Sequence, residues 1–380
     1  MSLGSRSLWK AVMAMVATII GAGIFGLPAA FSAVGFVPGT VLFLFLTVVV
    51  TLTHLIFAEQ LLATRERQRL SGLARRGLGE FAFELTAVTY PLQILGANYA
   101  YIVLGGEFID VITRAAGIHF PIEAWQLAFW VGGALTVLLG LKTIAKAETY
   151  LAAIKMLILV FAVALAVPLV DVTIGLHSDW LTWFLPFGIF LFALSGVTGI
   201  GEVVEIAGRD RRTALWAVGG GTLLSAFLCW LFGVTLFFAA HGYPIRTAAD
   251  LASILPNGTG LVIPLLGFLA VAGAYIITAE DLRITFERDL KWKPFYAAAT
   301  ALLVPLCLLA VLTRDFLAAI GFVGSIFVGL NSLIVCALGY KAMFRKRDHV
   351  THLAGTAVCA LLIGVYVFGI LQYVLSRQSL

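Results

Sequence analysis

Thr18-Ile19-Ile20-Gly21-Ala22-Gly23-Ile24-Phe25-Gly26-Leu27-Pro28 sets three glycines and a proline inside a run otherwise apolar enough to cross a bilayer. Glycine weakens a helix, and proline removes a helical N–H while crowding the preceding turn. In hydrocarbon every unsatisfied amide is costly, so a break is tolerated only where protein or a water-filled cavity meets the freed groups. The stretch therefore predicts a membrane span interrupted near mid-depth, with something polar received at the break.

The rest of the chain supplies the membrane. Of its 380 residues 61% are hydrophobic and 12% charged, with a mean hydropathy of +1.03, whereas soluble domains carry about a quarter charged residues. Windows of about twenty residues predict eleven spans: Leu8 to Val34, Pro38 to Leu62, Phe81 to Val111, Glu123 to Leu141, Thr149 to Leu169, Phe184 to Glu205, Ala214 to Ala240, Thr259 to Leu282, Phe295 to Leu312, Phe316 to Tyr340 and Leu353 to Leu375. They fill the chain as one transmembrane domain over residues 1–380. The Arg-rich loop from Ala63 to Glu80 carries Leu70, Leu73 and Leu78, which predicts a short helix lying at the headgroup level.

Lys and Arg are retained on the cytoplasmic side of short loops. With the N-terminus inside, 20 of the 25 basic residues fall on inner segments; Arg114, Arg246, Arg314 and Arg377 lie outside, and Lys155 falls within a span. The C-terminus is then outside. The net charge of +5 is explained by topology, and no nucleic-acid partner is called for. Cys229, Cys307, Cys336 and Cys359 all sit within spans at wide spacing, which predicts packing roles and neither a disulfide framework nor a zinc site. No cofactor is implied. The N-terminal segment lacks a clean cleavage signal, so a removed signal peptide is not expected.

A second break is expected in the sixth span, at Ser195-Gly196. The first and sixth spans stand five places apart, which fits two five-span halves of opposite orientation, about 8–171 and 184–341, plus an extra helix at 353–375. Interrupted helices at matching positions of inverted repeats point to a transporter site. The amides of Gly21, Ala22 and Gly23, at the start of a half-helix beginning near Ile24, would receive a carboxylate at the positive end of the helix dipole. Carbonyls near Ile19 and Ile20, and those of Phe192, Ala193 and Ser195 beside Gly196, would accept from an ammonium group. An amino acid zwitterion matches both poles. Thr198 follows in the same string, and Phe192 is placed to act as a lid. The plain alternative is that the glycines only allow close helix packing.

The Gly21-Ala22-Gly23-Ile24-Phe25 string with Leu27-Pro28, and the Phe192-Ala193-Leu194-Ser195-Gly196 string, resemble those of the amino acid/auxin permeases and the related bacterial aromatic amino acid permeases. Both belong to the amino acid-polyamine-organocation superfamily. The likeness spans nearly the whole chain in topology, with its specific motifs confined to the first and sixth spans. It implies an all-α, leucine-transporter-like 5+5 inverted repeat of eleven transmembrane helices, with helices 1 and 6 unwound at mid-membrane, and alternating access in a bacterial or archaeal cytoplasmic membrane. It also implies the carboxylate on amides around Gly21 to Gly23 and the amine on carbonyls around Ile19, Phe192 and Ser195.

Lys155 is the one cation inside a predicted span beyond its first few residues, and an ionisable residue there suggests function. Glu148, Ala152 and Lys155 share a helical face. Sodium-coupled relatives hold an ion between the first, fifth and eighth spans with hydroxyls of the eighth; the corresponding positions here are Gly273 and Ala274, which carry none. Some proton-coupled relatives place a lysine where the ion would sit, and Lys155 is similar in placement. Proton coupling follows, with Lys155 snorkelling to the headgroups as the bland alternative and Thr278 keeping sodium in play.

Asn98, Tyr99, Tyr101 and Tyr275 either line the pocket or make helix–helix hydrogen bonds. Glu202 and Glu205 pair with Arg209 or Arg212, or sit in water; Glu107 and Asp110 are expected to be solvated. An enzyme would need clustered nucleophiles or metal ligands, and of the six histidines only His54 falls inside a predicted span. A channel would show pore loops or charged rings. Small residues at the breaks and the absence of charge there favour a neutral, bulky or aromatic amino acid. Nothing specifies an oligomer.

Overall fold

The computed structural model describes residues 3–64, 69–139, 144–173, 180, 182–241, 243–256, 259–343 and 349–378, without the side chains of 3–6, 144–153, 349–353 and 377–378. Several of the basic residues used to orient the chain, among them Arg65, Arg67, Lys142 and Lys346, fall outside these bounds, as do the side chains of Glu148 and Ala152.

Apolar runs of this length leave the backbone no partner but itself, and every regular element described is helical. In order these are α1 (Leu3–Ile19), a 3-10 turn (Ala22–Gly26), α2 (Leu27–Val34), α3 (Phe36–Ala63), α4 (Leu70–Leu78), α5 (Glu80–Ala115), α6 (Ile122–Leu138) and α7 (Ile144–Ala166). There follow α8 (Phe187–Leu194), α9 (Val197–Ile206), α10 (Arg211–Ala239), α11 (Ala248–Ser253), α12 (Val262–Arg288), α13 (Pro294–Val311), α14 (Phe316–Phe322), α15 (Gly329–Met343) and α16 (His349–Gln378). Side-chain caps mark several starts. Asp210 accepts from the Thr213 amide at 2.8 Å to begin α10, Thr247 and Asp250 form a capping box on α11, and Asp315 accepts from the Ala318 amide at 2.9 Å to begin α14.

Among the described residues eight helices are long and apolar enough to cross a membrane, nine if the bent pair Ser7–Ile19 and Ala22–Val34 is one span. Two shorter apolar helices, Ile122–Leu138 and Ile154–Leu169, occupy the fourth and fifth expected positions. The outer face of α3 exposes Val37, Val41, Leu44, Phe45 and Val48 at helical spacing, an apolar stripe that only lipid or another apolar surface would cover.

At the centre α1 packs on α7, α9 and α10, α8 and α9 pack on α3 and α10, and the 3-10 turn between α1 and α2 meets α8, α10 and α12. Beyond the breaks, toward the end carrying Arg114 and α11, buried aromatic rings fill the interior. Phe25 meets Phe108 at 5.0 Å and Phe232 at 5.7 Å between ring centroids, and Phe190 meets Phe31 and Phe43 at 5.3 Å each.

The short helix expected in the Arg-rich loop is α4, and it buries Leu70 and Leu73 against α5 and α15. Three other expectations need correction. Glu107 is not simply solvated: its Oε2 accepts from the Ala248 amide at 2.9 Å and so caps α11, while Asp110 pairs with Arg114 at 2.7 Å. Cys307 is exposed, whereas the other three cysteines are buried. The tenth span contains a π-helical turn, Val323–Val328, which no local signal announced. The turn stands against α8, where a Cβ on Gly324 would collide with the Gly188 carbonyl oxygen, so two backbones touch there directly.

Candidate functional site

The first break lies at Ile20-Gly21, and the axis turns by 49° across it. Gly21 is extended (φ −127°, ψ −148°), and its amide donates to the Ile19 carbonyl at 2.9 Å. The new helix starts as a 3-10 turn at Ala22, two residues before the Ile24 start expected, and becomes α-helical at Leu27 with Pro28 in its first turn. Helix starts leave their first N–H groups without intrahelical partners, so the amides following Gly21 are the ones available to an anion.

The second break falls where expected. Ser195 is extended (φ −67°, ψ 129°) and Gly196 opens α9 (φ −142°, ψ 16°). The Phe192 carbonyl is not left free, since it accepts from the Ser195 amide at 3.3 Å; likewise the Ile19 carbonyl serves Gly21. Each keeps one lone pair.

The two breaks cross at Gly23. A Cβ there would sit 2.7 Å from the Cα of Ala193, closer than real Cβ atoms approach backbone. Neither break uses a left-handed backbone conformation. The glycine requirement at position 23 is thus one of proximity between chains.

A cavity of about 780 Å³ reaches from this crossing to the end of the bundle that carries Arg69, Arg209 and Arg288. Of the residues singled out in the sequence, Ile19, Gly21, Ala22, Gly23, Phe192, Ser195, Thr198, Tyr101, Lys155 and Ala274 line it. Ile24, Ala193 and Gly196 do not: they are buried behind the lining. Asn98 is fully buried, its Oδ1 accepting from Thr278 Oγ1 at 2.5 Å, and Tyr275 packs edge-on to Phe129 at 5.7 Å. Tyr99 turns away, its hydroxyl donating to the Thr313 carbonyl. The ring of Tyr101 stands edge-on to Phe192 with centroids 6.3 Å apart, forming an aromatic wall beside the breaks.

Lys155 is 4% exposed, and its Nζ lies 3.5 Å from where a Cβ on Gly273 would be. Next along α12, Ala274 touches the first break, its Cβ 3.6 Å from a Cβ position on Gly21. The lysine head, the bare face of α12 and the first break are therefore contiguous.

At the mouth, Arg69 donates to the Asp281 carboxylate, to the Asp281 carbonyl at 3.0 Å and to Thr285 Oγ1 at 2.7 Å, while Tyr90 donates to Asp281 Oδ2 at 2.9 Å. Burial works to lower the pKa of the Arg69 guanidinium, but the charge of Asp281, with Tyr90 and Asp289, overrides it and holds the pKa above its usual value. Arg209 donates to the carbonyls of Leu61 and Thr64, where pairing with Glu202 or Glu205 was one expectation. Both glutamates line the cavity. His54, which no sequence motif marks, also stands at the second break. Its Nε2 accepts from the Gly196 amide at 3.2 Å, a contact between residues 142 apart that no local pattern shows.

The chain is similar to a tyrosine permease of Enterobacter agglomerans, with 22% identity over 298 residues, covering 73% of this chain and 68% of that protein. Its fold is that of MhsT, whose crystal structure in complex with L-phenylalanine superposes with a TM-score of 0.69 at 15% identity, over 95% of this chain and 98% of that one. The protein is an integral membrane transporter of many spans, and not an enzyme. Because residues 4–376 match the family throughout, the chain belongs to the tryptophan/tyrosine permease family.

Proposed function

We propose that the protein is a secondary active symporter of neutral, bulky or aromatic amino acids, working by alternating access and coupled to protons through Lys155. The observation that carries this reading is the crossing of two interrupted helices at Gly23 and Ala193, at the inner limit of a cavity open toward one end. Substrate carboxylate is received by the amides around Gly21 to Gly23, and the amine by carbonyls of the second break. The Tyr101 and Phe192 rings give an apolar wall suited to an aromatic side chain. The names of the tyrosine permease and of the phenylalanine-bound MhsT point the same way.

In this reading eleven spans form two inverted halves, about 8–171 and 184–341, followed by an extra helix at 353–375. Spans 1 and 6 are unwound at mid-membrane, and the N-terminus is cytoplasmic. The ammonium of Lys155 beside Gly273 and Ala274 takes the place that a sodium ion would need oxygen side chains to fill. Uptake of radiolabelled L-tyrosine, L-tryptophan and L-phenylalanine into proteoliposomes tests this. Saturable uptake of one of them, driven by an inward pH gradient without sodium, is expected. A requirement for sodium with indifference to pH would overturn the coupling, and obligatory counter-substrate would make the protein an exchanger.

A further inference from the structure

His54 stands on α3, 1% exposed, between the second break and α10. Its Nε2 accepts the Gly196 amide at 3.2 Å, and its Nδ1 lies 3.0 Å from Thr222 Oγ1. An amide can only donate, so Nε2 carries a lone pair and the one proton of a neutral imidazole sits on Nδ1. Thr222 agrees, because its hydroxyl proton is given to the Val218 carbonyl at 2.7 Å and its oxygen is left to accept. The result is a one-way relay from Gly196 through His54 and Thr222 to the backbone of α10.

Gly196 is the N-cap of α9, and its buried amide has no partner within that helix. The Ser195-Gly196 peptide is trans, so its N–H and its C=O point in opposite directions from one plane. Drawing the N–H toward α3 turns the Ser195 carbonyl away from α3, and Ser195 itself borders the cavity.

We infer that His54 is a positioning residue for substrate: by holding the Gly196 amide it orients the Ser195 carbonyl that receives the amino group. This rests on the amine-binding role proposed for the second break. The ring touches no substrate itself and acts only through the peptide it holds.

The test compares KM and maximal rate in proteoliposomes for His54→Gln, His54→Asn and His54→Leu, using whichever of L-tyrosine, L-tryptophan and L-phenylalanine the wild type carries. The Gln amide oxygen can reach the place of Nε2, whereas that of Asn reaches only the place of Nδ1. His54→Gln is expected to keep KM within about twofold, and His54→Asn and His54→Leu to raise it about tenfold, the effect of one lost hydrogen bond. Thr222→Val, which keeps the ring but removes the acceptor for Nδ1–H, should raise KM by a smaller factor. Should His54→Leu not fold, the order of Gln against Asn decides. A folded His54→Leu with wild-type KM, or Gln no better than Asn, overturns the inference while leaving amino acid transport intact. A wild type without saturable uptake of any amino acid removes the reading beneath it.

Discussion

The Cα of Ala193 lies 2.7 Å from the only place a side chain on Gly23 could begin. The interrupted helices therefore touch backbone to backbone, and any Cβ at position 23 forces one of them to move. Gly23→Ala is expected to cost about 1–3 kcal/mol as an overpacked site and to abolish transport, because the displaced element carries the proposed binding site. At Gly21 the nearest atom to an added Cβ is the Ala274 Cβ at 3.6 Å, an ordinary contact. Gly21→Ala should change the melting temperature little, within about 0.5 kcal/mol. Thermal unfolding in detergent with parallel uptake assays distinguishes the two, and equal tolerance at both positions would remove the crossing as the reason for Gly23.

The Lys155 Nζ stands 3.5 Å from a Cβ position on Gly273, where the proposed mechanism places proton coupling. Lys155→Gln is expected to lose accumulation driven by a pH gradient while keeping exchange of labelled for unlabelled substrate across the membrane, since the binding site is left in place. Retained accumulation against a gradient would show that the lysine serves only packing or the headgroups.

Phe192 and Tyr101 meet edge-on beside the breaks. An aromatic pair contributes about 0.5–1.5 kcal/mol beyond its buried area, and a ring stacked by the substrate should be worth a similar amount. Phe192→Ala is predicted to raise KM for aromatic substrates about tenfold, with a smaller change for alanine if alanine is carried. Competition of unlabelled amino acids against the labelled substrate reads the difference, and equal losses for all side chains would assign Phe192 to gating alone.

Arg69 and Asp281 tie α4 and its N-terminal residue to α12 at the mouth of the cavity, with side chains 28% and 18% exposed. A fully buried pair broken on one side costs about 3–5 kcal/mol, and solvent access here reduces that to about 1–2 kcal/mol. Arg69→Gln and Asp281→Asn should each lower the melting temperature, and the double variant should lose less than the two together. Strict additivity would mean that the pair carries no coupling.

The helical spans were legible because apolar length is a local property, and a bilayer admits few backbone solutions to it. The break at Ser195-Gly196 was legible for the same reason, as was the interruption near Gly21, though its helix restarts earlier than the residue pattern suggested. The π-helical turn at Val323–Val328 was not, because it answers to α8 docking on Gly324. The partner of Glu107 was not legible either, because the Ala248 amide at the start of α11 comes to it from 141 residues away.

By itself the chain determined an all-helical membrane protein and where two of its helices give way, since hydropathy, glycine and proline act within a few residues. Only the tertiary structure decided that the two breaks meet at Gly23 and Ala193, that Lys155 faces Gly273, and that His54 reaches Gly196 across 142 residues. Those contacts depend on how helices dock. Docking is set by side-chain shape summed over whole interfaces, which no single stretch of sequence contains.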